Sequence, residues 1–290
     1  MSRLPKTFDI ITTLRERYYK ALSGKESLVE ILNETELPEH VYNSNAIENS
    51  TLTLEETEKI LLQIDLSRYV SERELFEAKN LAIVMEYINK RAKETELTKD
   101  LLLLLHKMLL GNINPDFAGR FRAPTEWVRV GNYIAADPAE ISELLGSMLT
   151  KLQINPHEHI IKRIAELHLT FEHIHPFCDG NGRIGRVINN FLLIKEGYIP
   201  INIAFTNRAD YYQAFRAFDK DGDVSLMEVI VGRALANSYH KRLAYMEGKK
   251  IVSLQTFATQ KKQSVSNIIN KANRQTIEAF IEKGVWKIGV

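Results

Sequence analysis

The sequence predicts an all-α protein with a short β-hairpin and a small C-terminal module. Apolar residues recur at helical spacing along most of the 290 residues. The stretch Gly119–Tyr133 departs from that spacing, because aromatic and Val residues alternate there with Arg, Pro and Gly. This pattern favours a short hairpin or extended flap. After Glu247 the composition becomes basic, which indicates a separate small module.

Composition limits the function classes. Hydrophobic residues make up 44% and charged residues 26%, as in ordinary soluble proteins, and the net charge is only +1. This charge does not require a nucleic-acid or membrane partner. A single cysteine, Cys178, excludes an internal disulfide and fits a cytoplasmic location. The apolar run Leu101–Leu110 is too short to span a membrane, and no export signal follows Met1.

Helix boundaries follow from capping residues and apolar spacing. Thr53 and Glu56 form a capping-box pair, so a helix is predicted to begin at Leu54 and to continue to Ile64. Further helices are predicted at Ser71–Lys93, Thr98–Leu110, Pro138–Leu152, His159–His173, Arg183–Glu196, Asp210–Phe218 and Leu226–Glu247. No internal repeat interrupts this order.

The segment Lys249–Val290 carries eight basic and two acidic residues, a charge of about +6. Its pattern predicts helices at Leu254–Lys261 and Ser264–Ala272, followed by a hairpin around Glu282–Gly284. This order is compatible with a winged-helix module. Contact with nucleic acid through 249–290 is one interpretation, and a solvated basic appendage is the other.

The segment His175–Arg186 carries the strongest chemical signal and lies between two predicted helices. Pro176 disfavours helical geometry at His175, so the chain is expected to turn there. Gly180 and Gly182 allow a tight bend and close approach to a ligand. A Gly-Asn-Gly turn that opens a helix presents amide N–H groups at the positive end of the helix dipole, a typical phosphate site.

Four side chains add charge and acid–base capacity to this turn. Arg183 and Arg186 lie three residues apart and can both hold phosphate oxygens. Asp179 supplies an oxygen ligand suited to Mg²⁺. His175 can accept a proton near neutral pH. Together these residues predict chemistry on a phosphoryl group.

The segment resembles the signature of the Fic-domain family, His-Pro-Phe-x-Asp-Gly-Asn-Gly-Arg-x-x-Arg, and matches it at every fixed position. The resemblance implies a Fic-type helical bundle that transfers AMP from ATP to a Tyr, Thr or Ser hydroxyl of a target protein. It implies that His175 is the base and that Asp179 binds Mg²⁺. The residues implied to hold the nucleotide phosphates are Gly180, Asn181, Gly182, Arg183 and Arg186.

Two flanking regions are similar to other parts of that family. Residues 119–131 resemble its flap, whose edge pairs with an extended segment of the target protein. Residues 207–212, which include Tyr211 and Tyr212, resemble the region that lines the base of the nucleotide in that family, where aromatic rings offer a stacking surface. Near Asp219 many relatives carry Asn, so the adenosine contacts there differ from the family pattern.

The segment Ser44–Asn49 would be interpreted alone as a polar turn before the helix at Leu54. Beside the Fic signature it is similar to the inhibitory motif of that family, Ser/Thr-x-x-x-Glu-Gly/Asn. The resemblance implies that Ser44, Glu48 and Asn49 are inhibitory residues and that Glu48 pairs with Arg186. That pairing would deny the guanidinium to the γ-phosphate of ATP.

These observations predict an N-terminal helical region at 1–100, a Fic core at 101–246 and the basic winged-helix-like module at 247–290. The predicted activity is that of an autoinhibited protein adenylyltransferase with Mg²⁺ as cofactor. The expected partners are ATP and a target protein docked on the flap, with self-association left open. The alternatives are removal of AMP, transfer of another phosphate-containing group, or non-catalytic ATP sensing with a nucleic-acid-binding tail.

Overall fold

The computed structural model describes residues 4–131 and 133–290. Met1–Arg3, where the predicted N-terminal region begins, and Asn132, within the predicted hairpin, lie outside the described residues. The helices are α1 Leu4–Leu22, α2 Glu26–Ile47, α3 Leu54–Leu61, α4 Glu72–Arg91, α5 Lys99–Leu110, α6 Ile141–Ile154, α7 Ile160–Ile174, α8 Asn181–Lys195, α9 Arg208–Asp221, α10 Ser225–Met246, α11 Leu254–Gln260 and α12 Val265–Asn273.

The described part of the chain also contains five short strands. They are β1 Arg129–Val130, β2 Tyr133–Ile134, β3 Ile251–Ser253, β4 Ala279–Glu282 and β5 Val285–Gly289. The pair β1–β2 is antiparallel and aligns Val130 with Tyr133. The other three strands form an antiparallel sheet in the order β3-β5-β4. The prediction of an all-α fold with short hairpins and a small C-terminal module is confirmed.

The chain divides into two compact units. One comprises Leu37–Tyr198 and Ile203–Ile230, and the other comprises the described residues of Met1–Glu36, Ile199–Asn202 and Val231–Val290. The predicted division at 100 and 246 is not tested by these units and stays a prediction. No helix in the described ranges is long and apolar enough to cross a membrane.

In the larger unit, α8 packs against α7, α4 and α5. Its side chains are buried around the helix, from Ile184 and Ile188 to Phe191, as expected for a helix enclosed by others. The apolar stripe of α7, from Ile160 through Ile164 to Phe171, is likewise buried. The loop between α7 and α8 is therefore held by two buried helices.

The smaller unit has a buried ion pair and a winged-helix module. Arg242 on α10 is 2% exposed and donates to a Glu36 carboxylate oxygen at 2.6 Å. In the module, α11 packs on α12, and the sheet contributes Ile288 and Ala279 to a core with Leu254, Ala258, Ile268 and Ala272. This arrangement of helix, helix and hairpin matches the predicted order.

Candidate active site

The loop from His175 to Gly180 is fixed at its two ends and at its centre. His175 ends α7 in the left-handed region, at φ 51°, and Gly180 precedes α8 at φ 81°. Phe177 between them is fully buried, and its ring stacks on His106 with centroids 3.7 Å apart. The Asn181 amide accepts from the Phe177 N–H at 2.9 Å and donates to its carbonyl at 2.8 Å. The Asn181 side chain thus holds the loop itself.

His106 on α5 also supports this loop. Its Nδ1 accepts from the Gly119 N–H at 3.0 Å, so the proton lies on Nε2, which is 3.0 Å from the Asp179 carbonyl oxygen. Burial lowers the pKa of His106 to about 4, which keeps the ring neutral at pH 7. His106 therefore connects the start of the flap segment to the loop.

His175 is held as a neutral imidazole. Its Nδ1 lies 3.2 Å from the Glu172 carbonyl oxygen, which can only accept a hydrogen bond, so Nδ1 carries the proton. Burial lowers the pKa of His175 to about 4. Nε2 is then the unprotonated nitrogen and can accept a proton at neutral pH.

Arg186 is almost completely buried, and each of its three nitrogen atoms has a partner. Nε donates to the Ser44 hydroxyl at 2.9 Å, and Nη2 donates to the Ser44 carbonyl at 2.8 Å. Nη2 also pairs with Glu48 Oε1 at 2.9 Å, while Nη1 lies 3.1 Å from the Tyr211 hydroxyl. Two of the three residues predicted to be inhibitory, Ser44 and Glu48, therefore meet the second arginine of the loop.

The carboxylate of Glu48 lies directly against Gly182. A Cβ at Gly182 would overlap Glu48 Oε1 and come within 3.2 Å of Arg186 Nη1. Gly182 is the second residue of α8, where the helix dipole favours an anion. Glu48 thus occupies the position at which the sequence predicts phosphate.

Arg183 and Asp179 belong to a ring of four alternating charges. Arg183 pairs with Glu77 at 3.0 Å and with Asp179 at 3.2 Å. Arg73 closes the ring, 2.6 Å from Asp179 and 3.0 Å from Glu77. Burial opposes ionisation of Asp179, but the Arg183 and Arg73 guanidinium groups outweigh it, so the pKa of Asp179 is lower than usual.

A layer of buried polar groups lies behind Arg186. The Tyr211 hydroxyl is 2.6 Å from Nε2 of His168, and both residues are almost fully buried. The opposite nitrogen of His168 and Glu172 Oε1 have no hydrogen-bond partner in the described part of the chain. Burial raises the pKa of Glu172 to about 8, so this carboxyl is neutral at pH 7.

Three further residues predicted for the site, Tyr211, Tyr212 and Asn49, differ in their exposure and in their contacts. Tyr211 is 1% exposed, so its ring offers no open face on which a base could stack; its hydroxyl contacts Arg186 instead. Tyr212 is half-buried and donates to the Ile47 carbonyl at 3.2 Å. Asn49, at φ 70°, accepts from Arg208 at 2.7 Å and does not contact Arg186 directly.

The flap segment is tied to the loop by Arg122, which is 3% exposed. Its backbone N–H donates to the Pro176 carbonyl at 2.9 Å, and its Nε donates to the His175 carbonyl at 2.8 Å. Its Nη2 reaches the Ala136 carbonyl at 2.7 Å, beyond β2. Arg122 thus fixes the position of the hairpin relative to the candidate base.

Comparisons with known proteins identify the family of the domain that carries this site. Residues 96–193 match the model of the Fic/DOC family. A curated relative, protein adenylyltransferase Fic of Drosophila willistoni, is 30% identical over 235 residues, which cover 76% of this chain and 46% of the relative. The chain contains a Fic domain. It spans about half the length of the curated Fic proteins that it matches.

Solved structures share the Fic fold. Fic-1 of C. elegans (residues 134–508) has a TM-score of 0.70 and 25% identity, with 84% of this chain and 73% of that chain covered. A Fic-domain-containing signalling protein of Bacteroides thetaiotaomicron has a TM-score of 0.74 at 23% identity, with 83% and 97% covered. These likenesses extend well beyond the residues that match the family model.

Several residues of this Fic domain were missed in the sequence. Arg73, Glu77 and Arg122 are charged residues of ordinary type in helical or polar segments, and no spacing rule connects them to the loop. The sequence contains one signal for His106, because this residue interrupts the apolar run of its helix. A histidine buried there needs hydrogen-bond partners. All four contact the signature loop or its flanking carbonyls in the folded chain.

Proposed function

We propose that this Fic domain is a protein adenylyltransferase in which Glu48 inhibits ATP binding. The observation that carries the proposal is the position of the Glu48 carboxylate, against Gly182 and paired with Arg186. Curated relatives of about twice the length are named protein adenylyltransferases. A carboxylate at the start of α8 would compete with a phosphate for the same helix terminus and the same guanidinium.

His175 would act as the general base. Its Nε2 would take the proton from a Tyr, Thr or Ser hydroxyl, and the hydroxyl oxygen would attack the α-phosphorus of ATP. The bond from that phosphorus to the bridging oxygen would break, and pyrophosphate would leave. The neutral ring and the fixed Nδ1 proton prepare Nε2 for this transfer without rearrangement.

The residues around Asp179 fit a magnesium ion held mainly by nucleotide. The described residues contain no cluster of three metal-ligating side chains, and Mg²⁺ bound through one carboxylate, phosphate oxygens and water needs none. When bound, Mg²⁺ would neutralise phosphate charge. Arg73, which contacts Asp179 Oδ2 at 2.6 Å, would have to release that oxygen first.

The flap would hold the target protein. Trp127 and Ile134 are 57% and 67% exposed, so this segment offers two large apolar side chains to a bound partner. The strands β1 and β2 pair only with each other among the described residues, so the hairpin has edges at which an extended segment could add. The hydroxyl of such a segment would be presented near His175, because Arg122 ties the hairpin to that loop.

The test is AMP incorporation from Mg-ATP labelled at the α-phosphate. We expect Glu48→Gly to raise self-modification above the wild-type level, because the anion site becomes free. Adding His175→Ala to that variant should lower incorporation by about 10²–10⁴-fold, the usual contribution of a general base.

Adduct mapping by mass spectrometry decides between the alternatives. A 5′-AMP adduct on a hydroxyl side chain supports transfer, whereas ATP binding without any adduct supports a sensing role. Equal incorporation by wild type and Glu48→Gly would show that Glu48 is not inhibitory. Incorporation that survives His175→Ala would remove His175 from the mechanism.

A further inference from the structure

The C-terminal winged-helix module presents one helix face that its own core does not use. On α12, Ile268 and Ala272 point into the module core. Asn267, Asn270, Lys271 and Arg274 are all exposed. These four positions follow the spacing i, i+3, i+4, i+7, so they form a single outward stripe on the helix and the turn that follows it.

The carboxylates of this module are already neutralised by other cations. Glu278 pairs with Lys249 at 3.2 Å and also with Arg17. Glu282 pairs with Lys287 at 2.7 Å and with Lys241 at 3.1 Å. Segment 251–290 contains no other acidic residue.

The exposed cations beside the stripe are not paired in this way. Lys261 and Lys262 lie in the turn between α11 and α12, and Lys271 and Arg274 lie on the stripe itself. In the ranges 4–131 and 133–290, none of these four cations forms an ion pair with a carboxylate. The Lys271 ammonium donates to the Gln263 amide oxygen at 2.9 Å, and the Lys261 ammonium lies 5.8 Å from the centroid of the Phe257 ring. Four of the eight basic residues of the module therefore lie at this face.

We propose that the C-terminal module is a binding site for double-stranded DNA, with α12 in the major groove. The second helix of a helix-turn-helix unit enters the groove with its first residues at the base edges. Asn267 and Asn270 are suited to adenine edges, and Lys271 and Arg274 to guanine edges or phosphates. Lys261 and Lys262 would contact the backbone, which fixes the orientation of the module.

A duplex fits this surface better than a single strand. Single-strand sites offer exposed aromatic rings on which bases stack, and the exposed stripe of α12 contains amide and basic side chains only. Helix α12 is nine residues long and is capped by Ser264, whose hydroxyl accepts from the Asn267 N–H at 3.2 Å. A rigid helix with a polar face matches a groove of fixed width.

The experiment measures binding of the full chain to a fluorescein-labelled 30-base-pair duplex by fluorescence anisotropy. With four phosphate contacts, raising KCl from about 50 to 200 mM should weaken binding by about 10²-fold. Lys271→Glu with Arg274→Glu should abolish binding at the lower salt concentration. The matched control is Lys90→Glu with Lys93→Glu, which makes the same charge change at exposed positions of the larger unit and should bind like the wild type.

Sequence-specific recognition of bases is tested separately, by selecting the duplexes that bind from a pool of random sequence. The wild type should enrich a defined motif, and Asn267→Ala with Asn270→Ala should lose that enrichment while keeping affinity for unselected duplex. The proposal is overturned if no duplex binds at 50 mM KCl, if both charge-reversed variants lose binding equally, or if single-stranded RNA of the same length binds more tightly. None of these measurements involves ATP or AMP transfer.

Discussion

Gly182 is the residue at which the inhibitory contact and the proposed phosphate site coincide. In the Glu48→Gly background, Gly182→Ala should weaken binding of a non-hydrolysable ATP analogue by at least about tenfold, because the new Cβ fills the position that Glu48 Oε1 occupies. Isothermal titration calorimetry measures this affinity. The matched control is Gly146→Ala on α6, where a Cβ meets nothing within 4 Å; equal affinities in both variants would place the phosphates elsewhere.

Glu172 should make stability depend on pH between about 4.5 and 8. Its pKa is raised from 4.5 to about 8 by burial, so the folded state holds a proton that the unfolded state has lost. The stabilising effect of that proton is complete below pH 4.5 and disappears as pH rises through 8. Glu172→Gln should therefore gain stability relative to wild type between pH 6 and 9, as measured by urea unfolding.

The exposed substitution Glu143→Gln on α6 serves as the control for that measurement. It should leave the difference from wild type constant over the same pH range. If Glu172→Gln behaves like this control, Glu172 titrates normally and is not held neutral by its surroundings.

At the residue scale, the sequence predicts groups that share one short segment. His175, Asp179, Arg183 and Arg186 lie within twelve positions, so one short loop and the first turns of the helix after it bring them together. Glu77 lies more than a hundred positions earlier, and its contact with Arg183 depends on how α4 packs against α8. Such a pairing follows from tertiary packing and has no local signature.

The backbone order of the flap should depend on the side chain of Arg122. Arg122→Leu removes donors to the His175 and Ala136 carbonyls, which then lose partners in a buried site. We expect faster amide hydrogen exchange across residues 123–136 and slower AMP transfer by the Glu48→Gly variant. Affinity for the ATP analogue should change little, because Arg122 has no contact with Arg183 or Arg186 in the described residues.

The control for the flap prediction is Arg129→Leu, a change of the same kind on β1. Arg129 is exposed and contacts only the Gly131 carbonyl among the described residues. Its exchange pattern should match the parent variant. Unchanged exchange in Arg122→Leu would mean that the hairpin is held by other contacts, such as the Arg120–Glu126 pair.

At the element scale, periodicity predicted most helices to within a few residues but gave no assignment before Thr53. Both α1 and α2 lie in that region. In α2, Pro38 and several carboxylates interrupt the apolar stripe, so the pattern is weak although the helix continues to Ile47. Ser44–Ile47 form its last turn. The segment is therefore not the polar turn that it suggests when it is interpreted alone, and its helical form agrees with the predicted N-terminal helical region and inhibitory helix. Ser44 lies in this last turn, and Glu48 follows it directly, with its N–H donating to the Asn45 carbonyl at 3.0 Å. This arrangement brings both side chains to Arg186.

At the scale of the whole molecule, opposing charges balance around the signature loop. Three guanidinium groups there face three carboxylates: Arg73, Arg183 and Arg186 against Glu77, Asp179 and Glu48. Glu172 adds no charge, because its carboxyl is neutral at pH 7. A nucleoside triphosphate carries several negative charges, so this neutral arrangement offers it little net attraction. Removing the Glu48 charge leaves one excess guanidinium at the start of α8 without changing the buried core.

This balance leads to a prediction about thermal stability. A ligand that binds only the folded protein stabilises it by about 2.7 kcal/mol at a hundredfold excess over Kd. For a chain of 290 residues, the entropy of unfolding is roughly 0.6 kcal/mol/K, so this stabilisation corresponds to a rise in Tm of about 4–5 °C. A Mg²⁺-bound, non-hydrolysable ATP analogue should therefore raise the Tm of Glu48→Gly in differential scanning calorimetry and leave the wild type nearly unchanged.

Adding Arg186→Ala to Glu48→Gly should abolish the shift, because the freed guanidinium is then missing. Equal shifts in wild type and Glu48→Gly would mean that ATP binds without displacing Glu48, and the inhibitory contact would then have to act on the orientation of the phosphates rather than on affinity.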